Sequence, residues 1–191
     1  MSRVVTAALL ARKVDFGEAD RICTLLTRAR GRISAVARAA RRSRKRYGGA
    51  LSLFVIGQAT LAPARRGDLL QLERFDVDED LAGAMGMDIV KVAHGSYIVE
   101  LARELWPPGQ PEPEAFDLTC DVLRVLATGA PSASLLRCFE LSLLRLMGLA
   151  PVLDRCVECG AAPGDGARYS AVRGGVVCAG CGSAGAAGEV P

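Results

Sequence analysis

The chain has 191 residues, and between Arg21 and Gly67 it contains no Asp or Glu, although 12 basic residues fall in that window. A solvated face normally mixes both signs, so the missing acids argue against a merely solvated basic surface. They point to a polyanion: nucleic acid first, an acidic membrane surface second. Aromatic residues are also scarce there, with only Tyr47 and Phe54. That excludes a dense stacking ladder within the window and favours contacts to phosphate.

Other absences narrow the class. The apolar runs fall far short of the roughly 20 residues a membrane-spanning helix needs. The first residues carry Arg3, Arg12 and Lys13 with no cleavage pattern, so no signal peptide is expected and the cytosol is the expected compartment. In that compartment the seven cysteines should not form structural disulfides, and paired cysteines read first as metal ligands. No Walker loop and no G-x-S-x-G elbow occur, and Arg173-Gly-Gly-Val is too short for a dinucleotide fingerprint. His94 is the single histidine and reads as packed or solvated. The acidic cluster Asp76, Asp78, Glu79 and Asp80 raises a Mg²⁺ nuclease, but a strand-to-helix junction explains it through capping and the helix dipole. A non-enzymatic protein is expected.

What is present divides the chain. Residues 1–67 hold 15 basic and 3 acidic residues, whereas 68–191 hold 9 basic and 18 acidic. The cationic part reads as strands: Val4–Val14, Arg21–Thr27, Ile33–Ala39, a long Leu51–Ala62 with a bulge at Gly57, and Leu69–Val77. Arg28–Arg32 makes a hairpin turn, Arg41–Gly49 a charged loop and Pro63–Asp68 a turn. Five strands in so short a span suggest an OB-fold barrel, and an SH3-like barrel gives nearly the same pattern. Helical periodicity follows. Asp88 caps a helix to about Leu105 with Ile89, Val92, Ala93, Tyr97, Leu101 and Leu105 on its inner stripe. Glu114–Thr128 directs Phe116, Leu123 and Leu126 inward. A third helix, capped by Ser132 or Ser134, carries Leu135, Leu136, Phe139, Leu143 and Leu146 and stops at Gly148.

The sharpest motif is a pair of C-x-x-C knuckles, Cys156-Val-Glu-Cys159 and Cys178-Ala-Gly-Cys181. Their separation suits a four-cysteine zinc site, and Gly160 and Gly182 suit the turn after each pair. Four thiolates complete a tetrahedron, so the zinc would be structural rather than catalytic. Cys23, Cys120 and Cys138 read as buried, inert thiols.

Three stretches then carry a resemblance. They are Asp15-Phe-Gly-Glu-Ala-Asp-Arg-Ile-Cys-Thr-Leu-Leu-Thr27 with Gly31-Arg32; Ala37-Arg-Ala-Ala-Arg-Arg42 through Arg46-Tyr-Gly-Gly-Ala-Leu51; and Gly148-Leu-Ala-Pro151 with Asp154-Arg-Cys156 and the two knuckles. In order and spacing the chain resembles the bacterial RecO family of recombination and repair proteins. The resemblance implies an α+β multidomain protein: an OB-fold DNA-binding domain at 1–80, a helical domain at 81–150 and a zinc-binding ribbon at 151–182; residues 183–191 read as a flexible tail. It implies binding of single- and double-stranded DNA, annealing of complementary strands, and work with RecR, sometimes RecF, that helps RecA displace the single-strand-binding protein. A nucleoid-associated cytoplasmic location goes with that. Family members usually continue past the knuckles with further helices, where this chain has Ser183 to Pro191.

The residues expected to touch DNA are Arg28, Arg30 and Arg32 in the hairpin, Arg38, Arg41, Arg42, Arg44, Lys45 and Arg46 in the loop, and Arg65 and Arg66 in the turn. Arginine's planar fork suits phosphate oxygens. Tyr47 is expected either to stack on a base or to pack against the barrel. Cys156, Cys159, Cys178 and Cys181 are the expected metal ligands. A zinc-ribbon factor binding RNA or a polymerase is the competing reading.

Overall fold

The structure, a computed structural model, describes residues 3–43, 47, 51–63 and 69–182. Five strands close a barrel in the order β1-β2-β3-β5-β4. They are β1 (Val4–Phe16), β2 (Asp20–Thr27), β3 (Gly31–Ala37), β4 (Val55–Ala62) and β5 (Leu70–Asp80). All neighbours run antiparallel except β3 and β5, which pair in parallel through Ala35–Leu70 and Val36–Gln71. This is the OB barrel expected from the strand spacing. Its core mixes large side chains such as Leu10, Leu25, Leu72 and Phe75 with alanines at 8, 35, 37 and 59. Small and large residues together fill the taper of a small closed barrel.

Several strand limits differ from expectation. β1 runs on through Asp15 and Phe16 before turning, because its register with β2 continues to Phe16–Asp20. β3 ends at Ala37, and Ala39 adopts a positive φ of 53°. β4 begins only at Val55. Phe54 before it has φ 66°, and its ring lies so close to Gly95 that a Cβ there would sit 3.0 Å from it. Leu51 and Phe54 are thus buried anchors on a turn rather than ladder residues. Gly57 does mark a register shift, and a Cβ at that position would strike the Asp76 carbonyl.

The helices are α1 (Leu81–Met85), α2 (Ile89–Leu105), α3 (Pro113–Thr128) and α4 (Ala133–Leu146). Asp88 caps α2 by accepting from Val90 and Lys91 N–H, and Ser132 Oγ accepts from Leu135 N–H at the start of α4. The buried face of α2 is not the expected one. Gly95, Ile98, Val99 and Ala102 point inward, whereas Ile89 is 80% exposed and Val92, Ala93 and Tyr97 are also exposed. Apolar residues surround this helix, so two stripes of helical spacing compete, and packing against Phe54 and the barrel selects the smaller one. On α3 the expected Phe116, Leu123 and Leu126 are buried. On α4 only Phe139 and Leu143 are fully enclosed, and Cys138 is exposed, not buried as expected.

By compactness the chain forms two units, residues 1–139 and 140–191. The second contains a two-stranded hairpin, β6 (Arg168–Ser170) with β7 (Gly175–Val177), and the short α5 (Ala179–Gly182). Val152 bridges to Gly175, tying the first knuckle's approach to the hairpin.

Candidate nucleic-acid interface and metal centre

The basic segment folds onto the first hairpin through its few acids. Asp20 Oδ1 accepts the Ala39 N–H at 2.7 Å, and the Ala19 carbonyl accepts the Arg41 N–H at 3.0 Å. Asp15 receives Arg21 at 2.8 Å and Arg41 at 3.8 Å, and Glu18 lies 3.9 Å from Arg42. The Arg21 hydrogen bond, with Arg41 and Lys13 adding to it, holds the Asp15 carboxyl below its ordinary range. These pairs are exposed, and solvent and salt screen exposed pairs of this kind, so they hold their partners only loosely. They orient Arg41 and Arg42 without committing their charge, so phosphate can displace the carboxylates. Arg38 and Arg12 are exposed and make no side-chain ion pair or hydrogen bond among the described residues.

The other hairpin also meets the helical segment. Arg28 is bidentate to Asp117 of α3, at 3.0 Å from Nε and 3.0 Å from Nη2. This pairing keeps the Asp117 carboxyl below its usual range. Arg32 Nε donates to the Trp106 carbonyl at 2.9 Å, and its own carbonyl accepts from Gly109 N–H. Between them Gly31, at φ 68°, lies against Gln110 so closely that any Cβ would overlap its backbone. Two of the three hairpin arginines therefore clamp the barrel to the segment after α2. Arg30 is half-buried at the mouth of an apolar hollow of about 120 Å³ bordered by Ile33, Leu61 and Leu70. Arg44, Lys45, Arg46, Arg65 and Arg66 lie outside the described residues.

Tyr47 is a correction to the base-stacking expectation. Its ring is only 3% exposed in the barrel core, and its hydroxyl donates to the Leu72 carbonyl at 2.7 Å. A ring enclosed on both faces offers nothing to a base. The tyrosine instead fills the core and satisfies a strand carbonyl.

The acidic run resolves into separate roles. Asp76 pairs with Arg74, Asp78 accepts from Gln58, and Asp80 caps α1 through Ala82 and Gly83 N–H. Glu79 takes Arg124 of α3 in a fork at 2.6 and 3.0 Å, which lowers the Glu79 pKa. His94 is half-buried, and its Nδ1 is enclosed without a hydrogen-bond partner among the described residues.

Among the described residues, one group of three or more potential metal ligands converges: Cys156, Cys159, Cys178 and Cys181, with all four sulfurs within 4.8 Å of one another. Cys159 and Cys178 Sγ are 3.8 Å apart. A tetrahedral ion with metal–sulfur bonds of about 2.3 Å needs sulfur–sulfur edges of about 3.8 Å. Gly160 has φ 74° and its N–H returns to the Cys156 carbonyl at 2.9 Å, closing the first knuckle; Gly182 has no positive φ. The Cys178 N–H donates to Cys156 Sγ at 3.3 Å. Backbone N–H groups of Cys178, Cys159 and Glu158 pull the Cys156 pKa down to about 6. Hydrogen bonds to the Cys178 and Cys159 sulfurs push Cys181 up to about 12. A set that shares protons in this way can exchange them for a cation, so the donor chemistry and the spacing both suit a metal ion.

A closed OB barrel, a cationic stretch of sequence, a helical segment and four converging cysteines in one chain define a class: modular nucleic-acid proteins with an appendage whose cysteines could hold a metal ion. The family comparison makes it specific. Residues 1–78 match the family described as "Recombination protein O N terminal" and residues 86–191 match "Recombination protein O C terminal". The chain belongs to the RecO family. It is 45% identical over 182 residues to "DNA repair protein RecO" of Anaeromyxobacter sp. (strain K), covering 95% of this chain and 71% of that one. It is 39% identical over 184 residues to the protein of the same name from Myxococcus xanthus (strain DK1622), covering 95% and 74%. The Geobacter sulfurreducens protein is 37% identical over 180 residues, covering 94% and 73%. No helix among the described residues is long and apolar enough to cross a membrane.

Proposed function

We propose that this chain is a non-enzymatic recombination mediator that binds single- and double-stranded DNA, anneals complementary strands and helps load RecA together with RecR, and in some settings RecF. The observation that carries the reading is the set of outward arginines, Arg38, Arg41 and Arg42, held on the barrel by Asp20, Asp15 and Glu18. Loosely paired cations on a rigid barrel neutralise phosphates without reading sequence. Arg44, Lys45, Arg46, Arg65 and Arg66 are assigned to phosphate binding from their place in the acid-free stretch of sequence, and Arg30 contributes from the hairpin. Arg28 and Arg32 act by keeping the barrel oriented.

The functional division is an OB DNA-binding domain at 1–80, a helical domain at 81–150 and a ribbon at 151–182. Cys156, Cys159, Cys178 and Cys181 bind one zinc ion whose task is structural, since four thiolates leave no open position. The single-strand-binding protein is a further partner, and the working compartment is the cytoplasm, at the nucleoid. Two strands held on one cationic face would have their mutual repulsion screened, which is what annealing requires.

The decisive experiment is annealing of complementary strands coated with single-strand-binding protein, with and without RecR. Wild type should anneal. Arg38→Glu/Arg41→Glu/Arg42→Glu should not, while keeping its fold, and its salt slope for single strands should flatten by about 0.7 per lost contact. Wild type that binds RNA in preference and never anneals DNA would make the RNA- or polymerase-binding reading the correct one.

A further inference from the structure

The outer face of the first three strands carries a pattern that the cation count does not capture. β1 pairs with β2 as Val14–Ile22 and Phe16–Asp20, and β2 pairs with β3 as Ile22–Val36. Alternate residues of a strand share a face, and paired residues across a ladder lie side by side. Val14, Ile22 and Val36 therefore form one apolar row across three strands, with Phe16 beside it. Cys23, one residue over in register, points the opposite way into the barrel core. Phe16 is 54% exposed and Val14 44% exposed.

Ile22 and Val36 are half-buried, so the row is exposed mainly at its β1 side, and adjacent exposed apolar side chains on one face mark a candidate contact surface. Cations stand at two corners of this face, and carboxylates lie around Phe16. Arg12 precedes it on β1, and Arg38 follows Val36 at the exit of β3, both exposed. Of those carboxylates, Asp20 gives one oxygen to the Ala39 N–H, and Asp15 and Glu18 face Arg21, Arg41 and Arg42. Beyond Arg38 lie Arg41 and Arg42. An apolar row with an open aromatic ring, between cations spaced along it, matches a strand whose bases are unpaired: rings over the row, phosphates over the arginines. A duplex hides its bases and offers only phosphate, so it can use the arginines but not the ring.

The geometry points to Phe16 as the base-stacking residue of this barrel, with Val14, Ile22 and Val36 as the platform beside it and single-stranded DNA as the occupant. This rests on the DNA-binding reading above and assigns to Phe16 the stacking that the buried Tyr47 cannot perform. It also predicts a division of labour, in which the arginines serve both forms of DNA and Phe16 serves only the single strand.

The test measures binding of the full chain to a single-stranded oligonucleotide, to a duplex of matched phosphate number and to single-stranded RNA. Phe16→Ala should weaken single-strand binding about 5- to 100-fold, as loss of one stacked base does. Duplex binding should stay within about twofold and the salt slope should not change, because no phosphate contact is lost. Phe16→Trp should restore single-strand affinity, and its added fluorescence should be quenched by the single strand and not by the duplex. Equal single-strand affinity for wild type and Phe16→Ala overturns the proposal, as does a parallel loss for duplex. Tighter binding of RNA than of DNA overturns the choice of occupant. Wild type that binds no nucleic acid at all would instead remove the DNA-binding reading on which the proposal stands.

Discussion

Thirteen buried residues, from Ala8 to Phe75, form the barrel's core, whereas between residues 151 and 182 only Cys156, Ser170, Gly175 and Val177 are buried. The barrel can therefore be held by apolar burial, and the cysteine segment cannot. Cysteine itself reports the contrast. Burial raises the Cys23 thiol to about 11, so it stays protonated and packs as a small apolar group. Backbone N–H groups lower Cys156 to about 6, so it is ready to act as a thiolate ligand. One residue type is filler in one region and a candidate metal ligand in the other, and the difference lies in what surrounds the sulfur.

The strongest way to break this comparison is to remove the metal ligands. Cys178→Ser, or a strong chelator, should abolish metal binding and leave residues 151–182 unprotected in amide hydrogen exchange, while β1–β5 keep their protection. Structural zinc in small domains supplies about 10–16 kcal/mol of binding free energy, far more than the burial of Val177. A ribbon that stays protected without metal would show that packing holds it after all.

The converse cut is Tyr47→Ala. Removing a large ring from the core should cost about 3–5 kcal/mol in denaturant unfolding of the barrel and leave the metal content at its wild-type value. Tyr47→Phe sharpens the point, since it leaves the Leu72 carbonyl without its donor and should cost about 1–3 kcal/mol. If either variant released the metal, the two regions would not be independent.

The smallest effect is electrostatic and belongs to the contacts between the barrel and α3. Glu79 and Asp117 have pKa values lowered first by hydrogen bonds from Arg124 and Arg28. A carboxyl whose folded pKa lies below its unfolded value stabilises the fold above the unfolded pKa. That contribution is lost as pH falls from about 4.5 through the depressed folded value. Barrel stability should therefore decline in that acid window, and less steeply in Arg124→Ala. Both pairs are more than a third exposed, so solvent screens them; the Glu79–Arg124 fork should contribute no more than about 1 kcal/mol, and the Arg28 pair is weaker still. Urea titrations between pH 5 and 2 would measure it, and identical slopes for wild type and Arg124→Ala would show that the fork adds nothing.

Strand number, order of elements, the Asp88 cap, the inner face of α3 and the cysteine set were all legible from residue types and spacing. Each rests on a local rule with little competition: alternation, a capping side chain before an apolar run, or two C-x-x-C pairs at a suitable separation. The buried face of α2 was not legible, because apolar residues on several sides leave the choice to whatever packs against it. Cys138 was misjudged for the same reason. Phe16 was overlooked because it sits outside the acid-free window, beside the acids Asp15 and Glu18. Nothing local distinguishes an exposed strand aromatic from a buried one, and Tyr47 was the more conspicuous candidate.

By itself the sequence determined that this protein has a cationic β-rich part, an acidic helical part and a four-sulfur knuckle pair, since charge, period and spacing are properties of the chain. Tertiary structure alone decided which charges are available. Arg28 and Arg32 are engaged because the β2–β3 turn meets Asp117 and the Trp106 carbonyl, groups about 75 to 90 residues away, although the Arg28 side chain stays about half exposed. Arg38 and Phe16 remain outward because closing the barrel puts Cys23 and Leu25 inside. Partners so distant along the chain become neighbours only when the barrel closes and the helices dock, and no local pattern encodes that pairing.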